Sequence, residues 1–389
     1  MSGFNLLKTS AQTKARAGEL ATPHGRVPTP VFLPVGSQGA VKTLTPDEVK
    51  DIGFEMLLAN TYHLYLRPGI GVIERAGGLH NFMGWDRAIL TDSGGYQVFS
   101  LSPLRQVSDD GVTFRSHIDG SRHHITPELA IAYQESLGAD IIMALDECPA
   151  HDDVPQKVKI ATERTHKWAE RCLKAQRRPD QALYAIVQGG MDAELRQESA
   201  RRLTALDFPG YAIGGLSLGE PKETTLSMIE ETIACLPENK PRYLMGVGSP
   251  EDIVEGVARG VDIFDSALPT RVARNGALFS WEGRQNITNA AYKDREEPIV
   301  AGCNCYTCRN FSAAYLRHLF NSGELLAYRL ATIHNLHFIA ELVRKIRGAI
   351  IDGTFLKFKN EFLGNYRPAD EPTRLAQKRK WLNSRKGGG

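Results

Sequence analysis

The chain has 389 residues, 42% hydrophobic and 24% charged, with a formal net charge of +2. That length accommodates one large α/β domain plus a smaller appendage, and the composition is that of an ordinary soluble globular protein. Near-neutral bulk charge does not call for a nucleic-acid partner, and the absence of an apolar run of about 18 residues excludes a spanning helix. The N-terminal stretch MSGFNLLKTSAQTKARAG holds no signal-peptide core, so a cytoplasmic protein is expected.

Eight short apolar runs read as strands: VFLP (31–34), MLLAN (56–60), AILTD (88–92), IIMALD (141–146), YAIVQ (184–188), YAIG (211–214), YLMGV (243–247) and DIFD (262–265). Amphipathic stretches lie between most of them. TPDEVKDIG offers Thr45 as N-cap, Pro46 at the first helical position, Glu48 at the third and Gly53 as a stop. TPELAIAYQESLG runs from Thr126-Pro127 to Gly138, and SPEDIVEGVARG from Ser249-Pro250 to Gly260. Strand and helix alternating to eight predict a (β/α)8 barrel of the TIM type. An open doubly wound sheet would also alternate, but PVGSQGAVKT does not match its G-x-G-x-x-G turn. The alternation breaks twice. Residues 101–125 read as a hairpin around Asp119-Gly120, and residues 275–335 carry a cysteine cluster. Both are expected to be insertions packed on a single barrel domain over 1–389, the second a metal-binding subdomain at 275–345.

Several apolar strands end on polar groups: Asp92, Asp146, Gln188 and Asp265. One such Asp is usually a helix N-cap. Three with a Gln at successive strand ends fit the mouth of a barrel, where C-terminal strand ends converge. Glycines accompany them in DSGG (92–95), QGG (188–190) and GGLSLGE (214–220). Glycine exposes backbone donors and acceptors to a ligand, although tight βα turns need it too. Carboxylates, an amide and bare backbone suit a flat heterocycle such as guanine, with Tyr96 and Met245 available to sandwich its faces. Two carboxylates in one mouth suggest glycosidic chemistry, one attacking the anomeric carbon and one handling protons. Water resolving the intermediate makes a hydrolase; a second base makes an exchanger; the spacing does not choose.

CNCYTC places Cys303, Cys305 and Cys308 within six residues, and His334 follows in ATIHNLHF. Three thiolates and an imidazole complete a closed tetrahedral Zn²⁺ site, hence a structural role, with His337 as the alternative fourth ligand. Phe311, Tyr315 and Leu319 then recur at helical spacing, as core or as a dimer surface. The C-terminal stretch is locally basic (Arg374, Lys378, Arg379, Lys380, Arg385, Lys386), either a solvated tail or a phosphate-contacting arm.

Taken together, TDSGGYQVFSL, DEC, VQGG, GGLSLGE, MGVGSPED, FDSALPTRVARNG and CNCYTC…H closely resemble the tRNA-guanine transglycosylases (queuine tRNA-ribosyltransferases) of the bacterial type, over nearly the whole chain. The resemblance implies a homodimeric pentosyltransferase that replaces guanine at the wobble position of tRNAs with G-U-N anticodons (the Asp, Asn, His and Tyr acceptors) by a 7-deazaguanine. It implies Asp265 as nucleophile on ribose C1′ and Asp92 as general acid/base. Asp146, Gln188 and the backbone of Gly215 and Leu216 would read the base, Tyr96 and Met245 would stack on it, and Ser93, Gly94 and Gly95 would line its site. Gly246, Val247, Gly248, Ser249, Pro250, Glu251 and Asp252, with Thr270, Arg271, Val272, Ala273 and Arg274, would lie against the RNA. One zinc per subunit would be structural. Two residues depart from or refine that pattern. Ser266 stands where many bacterial members have Cys, with little effect expected on chemistry. Bulky Leu218, with Cys148, favours 7-aminomethyl-7-deazaguanine over full queuine. The chain also ends before the extra RNA-binding domains of archaeal relatives would begin. A hydrolytic nucleosidase would leave the zinc cluster and TRVARNG unexplained, and a non-catalytic RNA-binding zinc protein would be expected to lack one of the two aspartates.

Overall fold

In a computed structural model that describes residues 3–101 and 105–368, all eight expected strands form one parallel sheet. The chain opens with three antiparallel strands, β1 (Gly3–Thr9), β2 (Arg16–Thr22) and β3 (Gly25–Thr29). The parallel strands are β4 (Val31–Pro34), β5 (Met56–Ala59), β6 (Ala88–Thr91), β10 (Ile141–Met143), β11 (Ala182–Val187), β12 (Gly210–Ile213), β13 (Arg242–Leu244) and β14 (Ile263–Ser266). Between β6 and β10 lie β7 (Arg105–Val107), β8 (Val112–Arg115) and β9 (Arg122–Ile125). The parallel order is β4-β14-β13-β12-β11-β10-β6-β5, and β4 returns to β5 through a parallel bridge between Val35 and Leu58. The Gly36 N–H donates to the Leu58 carbonyl at 2.7 Å, closing the cylinder.

Strands buried on both faces explain why these segments read as unbroken apolar runs. In β11, Ala182, Tyr184 and Ile186 fill the barrel interior, whereas Leu183, Ala185 and Val187 pack under the surrounding helices. The helix starts follow local chemistry. Thr45 and Glu48 form a reciprocal capping box ahead of Pro46–Ile52, and Thr126 caps Pro127–Leu137 through the Leu129 N–H. Ser249 differs: its hydroxyl goes to Asp252 at 2.6 Å instead of capping the helix Pro250–Ala258.

The sheet β1–β3, which the sequence pattern did not reveal, covers the N-terminal end of the barrel. Leu20 and Val27 join the interior cluster from it. Arg16 pairs with Asp262 just before β14, and His24, stacked on His80 at 3.6 Å, reaches Asp140 just before β10. The C-terminal mouth is left for the site. The expected hairpin is the pair β8–β9, joined by β7 into a three-stranded sheet.

Past β14 and the helix Leu268–Arg274 come the hairpin strands β15 (Ala277–Ser280) and β16 (Gly283–Asn286), short helices, and the long helix Leu325–Ile351. Leu278, Ile287, Ile299, Leu316 and Leu330 form a separate apolar cluster around Cys305 and Cys308. The long helix joins this cluster to the barrel, since Ile339, Leu342 and Ile346 belong to the main core. Of the aromatic-aliphatic stripe, Leu319 is core, Phe311 is half-buried and Tyr315 is exposed, stacked on Phe311 at 5.4 Å. Among the described residues no helix is long and apolar enough to cross a membrane. The basic residues Arg374 to Lys386 lie outside the described residues.

Candidate active site

Asp92 follows β6 by one residue, Gln188 follows β11 by one, Asp146 lies beyond β10, and Asp265 is the next-to-last residue of β14. All four are buried and line one cavity of about 700 Å³ at the barrel mouth. Ser93, Tyr96, Gly215, Leu216 and Met245 line it too. So do Gly246, Val247, Gly248, Ser249, Glu251, Asp252, Arg271 and Val272 along its rim. Gly94, Gly95, Pro250, Thr270, Ala273 and Arg274 do not. Arg274 turns back to donate to the Thr270 carbonyl at 2.9 Å. Gly94 holds a positive φ of 79°, and a Cβ on Gly95 would sit 2.7 Å from the Asp146 carbonyl oxygen. Gly95 lets the chain after β6 lie directly against the chain after β10, and Gly94 lets it turn beside Tyr62.

The three carboxylates have different surroundings. Asp92 Oδ1 accepts from the Thr61 N–H at 2.8 Å, and Oδ2 from the Asn60 amide. Burial pushes its pKa up to about 6; those donors pull against the shift and the Asp265 charge adds to it. Asp146 is likewise pushed by burial to about 6, against hydrogen bonds from Gln188 Nε2 at 2.8 Å and Ser93 Oγ at 3.1 Å. Asp265 is raised by burial, while the Gly246 N–H and Tyr243 hydroxyl favour its ionised form. Both donate to Oδ1, at 2.7 and 2.6 Å. Gln188 Oε1 is buried without a hydrogen-bond partner among the described residues, an acceptor for a ligand donor.

Two buried acids able to share proton work, next to an amide, backbone groups and two flanking side chains, suit displacement at a sugar carbon bearing a planar base. A family model described as Queuine tRNA-ribosyltransferase matches residues 10–368. The chain belongs to the queuine tRNA-ribosyltransferase family. Relatives of that name include one from Dehalococcoides mccartyi (strain CBDB1), 60% identical over 384 residues covering 99% of this chain and 98% of the relative. One from Moorella thermoacetica is 57% identical over 363 residues, covering 93% and 97%. One from Herpetosiphon aurantiacus is 55% identical over 384 residues, covering 99% and 98%.

In this queuine tRNA-ribosyltransferase family member, sequence reasoning passed over Asn60, His63, Tyr243 and Glu220, all of which lie at or beside the mouth. Asn60 carried the same signal as Asp92, a polar group ending an apolar strand. Tyr243 lies two residues before Met245, so it shares its face of the strand. The Glu220 carboxylate accepts from the N–H groups of Ser217, Leu218 and Gly219 and from the Thr225 hydroxyl, so it holds the GGLSLGE loop in shape.

The cysteine cluster lies apart from the cavity lining. His334 Nδ1 is 3.9, 3.6 and 3.3 Å from the sulfurs of Cys303, Cys305 and Cys308. A tetrahedral zinc with its usual bond lengths separates sulfur from nitrogen by about 3.6 Å, so the four atoms can hold a metal ion. His334 Nε2 donates to the Phe279 carbonyl at 2.8 Å, which leaves Nδ1 for the metal. His337 instead faces Glu341, so His334 is the histidine of the cluster.

Proposed function

We propose that the protein exchanges guanine at the wobble position of tRNAs with G-U-N anticodons for 7-aminomethyl-7-deazaguanine, by double displacement through a covalent Asp265–ribosyl tRNA. The observation that carries this is the pair Asp92 and Asp265, buried on one cavity with different surroundings. Asp265 keeps Oδ1 on two donors, so Oδ2 attacks C1′ as the N9–C1′ bond breaks. Asp92, with its pKa near 6, gives its proton to the departing guanine. The incoming base returns a proton to Asp92 from its own N9, which then attacks C1′ and releases Asp265. Asp146, Gln188, Gly215 and Leu216 hold the base in plane, Tyr96 and Met245 flank it, and Ser93 orients Asp146.

The finer assignments follow the same reading. The loop Gly246–Asp252 and the helix Leu268–Arg274 present the anticodon face, with Arg271 and Val272 at the rim and the buried Thr270 and Ala273 supporting them from behind. The RNA is an Asp, Asn, His or Tyr acceptor, which places the enzyme in the cytoplasm. The described residues form a single barrel domain carrying a zinc-binding insertion at 275–345. One structural Zn²⁺ per subunit is held by Cys303, Cys305, Cys308 and His334, a closed set with no open position for chemistry. The exposed aromatic patch of Tyr306 and Tyr315, 51% and 40% accessible, supports a homodimer.

Purified protein incubated with radiolabelled guanine and tRNA should incorporate label, and 7-aminomethyl-7-deazaguanine should displace it. A denaturing gel should show a covalent tRNA adduct that Asp265→Asn abolishes. An undiminished adduct in that variant removes Asp265 as nucleophile, and guanine release from free nucleosides without RNA points to a hydrolase instead.

A further inference from the structure

The helix Ala193–Thr204 carries a charged side chain that the mechanism above does not use. Arg196 is 0% exposed, directly behind the base end of the cavity. Its Nε donates to the Gly190 carbonyl at 2.6 Å and its Nη2 to the Gly214 carbonyl at 3.0 Å. Among the described residues Nη1 has no hydrogen-bond partner and no carboxylate lies in ion-pair contact with Arg196. A buried guanidinium with no counterion in contact, and only the Glu220 carboxylate acting on it from a distance, is costly, and a neutral side chain would fill the space at less cost. Its polar contacts are two backbone oxygens, one on the loop after β11 and one on the loop after β12. Those loops present Gln188 and Gly215 to the cavity. The first loop lies flat on the arginine: a Cβ on Gly189 would come within 2.7 Å of Arg196 Cγ and 2.8 Å of its backbone nitrogen.

We propose that Arg196 is a positioning residue for base recognition, its rigid fork fixing the separation of the Gln188 and Gly215 loops. The guanidinium is suited to this because its donors diverge from one plane at fixed angles, so one side chain spans two carbonyls. Lysine would keep the charge but offers a single flexible point. Loosening the two loops moves Gln188, whose amide is also the Asp146 partner, relative to Gly215, and a displacement of about 1 Å is enough to spoil a planar array of hydrogen bonds.

The inference rests on the reading that Gln188 and Gly215 hold the base, and the experiment separates the two. Base exchange is measured with KM determined independently for guanine and for tRNA, in wild type, Gln188→Ala, Arg196→Lys and Arg196→Gln. Arg196→Lys should raise the guanine KM about 10-fold or more, the effect of losing one charge-assisted hydrogen bond, with the tRNA KM within about twofold of wild type. A guanine KM unchanged in folded Arg196→Lys overturns the proposal, and so does an equal rise in both constants, which marks general loosening. An unchanged guanine KM in Gln188→Ala overturns the base-holding reading itself. If neither arginine variant folds, a crystal structure of the wild-type enzyme with a bound deazaguanine decides. Both arginine–carbonyl contacts should persist within about 3.2 Å, and loss of either in the complex overturns the proposal.

Discussion

The Tyr243 hydroxyl and the Gly246 N–H converge on one oxygen of Asp265, at 2.6 and 2.7 Å, so the two oxygens of that carboxylate are not equivalent. Burial pushes the Tyr243 pKa well above its ordinary value, and the neighbouring Asp265 charge adds to the push, so the phenol stays a donor throughout the working pH range. Tyr243→Phe removes one donor and should raise the Asp265 pKa further. The acid limb of kcat/KM against pH should move upward by about one unit, with a loss that is largest on the acid side of that limb and shrinks as pH rises above it. An acid limb that stays in place would mean that the phenol does not stabilise the Asp265 carboxylate.

Burial raises Asp92 and Asp146 from 3.8 to about 6, and such shifts have a stability cost. Between the unfolded and folded pKa values the native state binds more protons, so stability falls as pH rises from about 4 to about 6 and stays lower above that. Asp146→Asn should therefore stabilise the protein above pH 6 by about 1–3 kcal/mol, with the gain disappearing below about pH 4, while base exchange is lost. Thermal melts at pH 4 and pH 8 test this; a variant equally or less stable at pH 8 contradicts it.

What could be read from the sequence followed local rules. The eight strands were legible because each is buried on both faces and so is apolar without interruption, and the capped helices because Thr45 and Thr126 satisfy orphan N–H groups through nearest neighbours. The sheet β1–β3 was not, because β1 holds only exposed and half-buried residues and the sheet owes its place to the remote pairs Arg16–Asp262 and His24–Asp140. The same distinction runs through the site. Asp92 and Asp265 stood out as charges at the ends of apolar strands. Asn60, which holds Asp92, and Arg196, which acts through carbonyls contributed by two other loops, become functional only by non-local contact.

The metal cluster gives a prediction independent of the chemistry. Cys303→Ala removes one of four ligands around a small apolar cluster that also contains Cys305 and Cys308. On the proposed zinc assignment, stoichiometric metal should be lost by atomic absorption, and the melting temperature should fall at the same time, since binding and folding of such a site are linked. Because the thiols must ionise to bind, acidification should release the metal from wild type as well. Full zinc content with an unchanged melt in Cys303→Ala would remove the assignment.

At the opposite end of the barrel, Arg16 grips Asp262 through Nε at 2.8 Å and Nη2 at 2.5 Å, with both side chains almost wholly buried. Arg16 also donates to the carbonyls of Glu238 and Lys240, and Asp262 accepts from the Arg242 N–H at 2.7 Å. Asp262→Leu strands a buried guanidinium and should destabilise by about 3–5 kcal/mol. The double replacement Arg16→Met with Asp262→Leu removes both members of the pair, leaves the neighbouring Arg242 with Glu238, and should recover part of that loss. Since this contact ties β2 to the start of β14, far from the mouth, the KM values for guanine and tRNA should stay near wild type in the double variant. A double variant as unstable as Asp262→Leu alone would show that the pair's backbone contacts, and not charge compensation, hold the N-terminal sheet on the barrel.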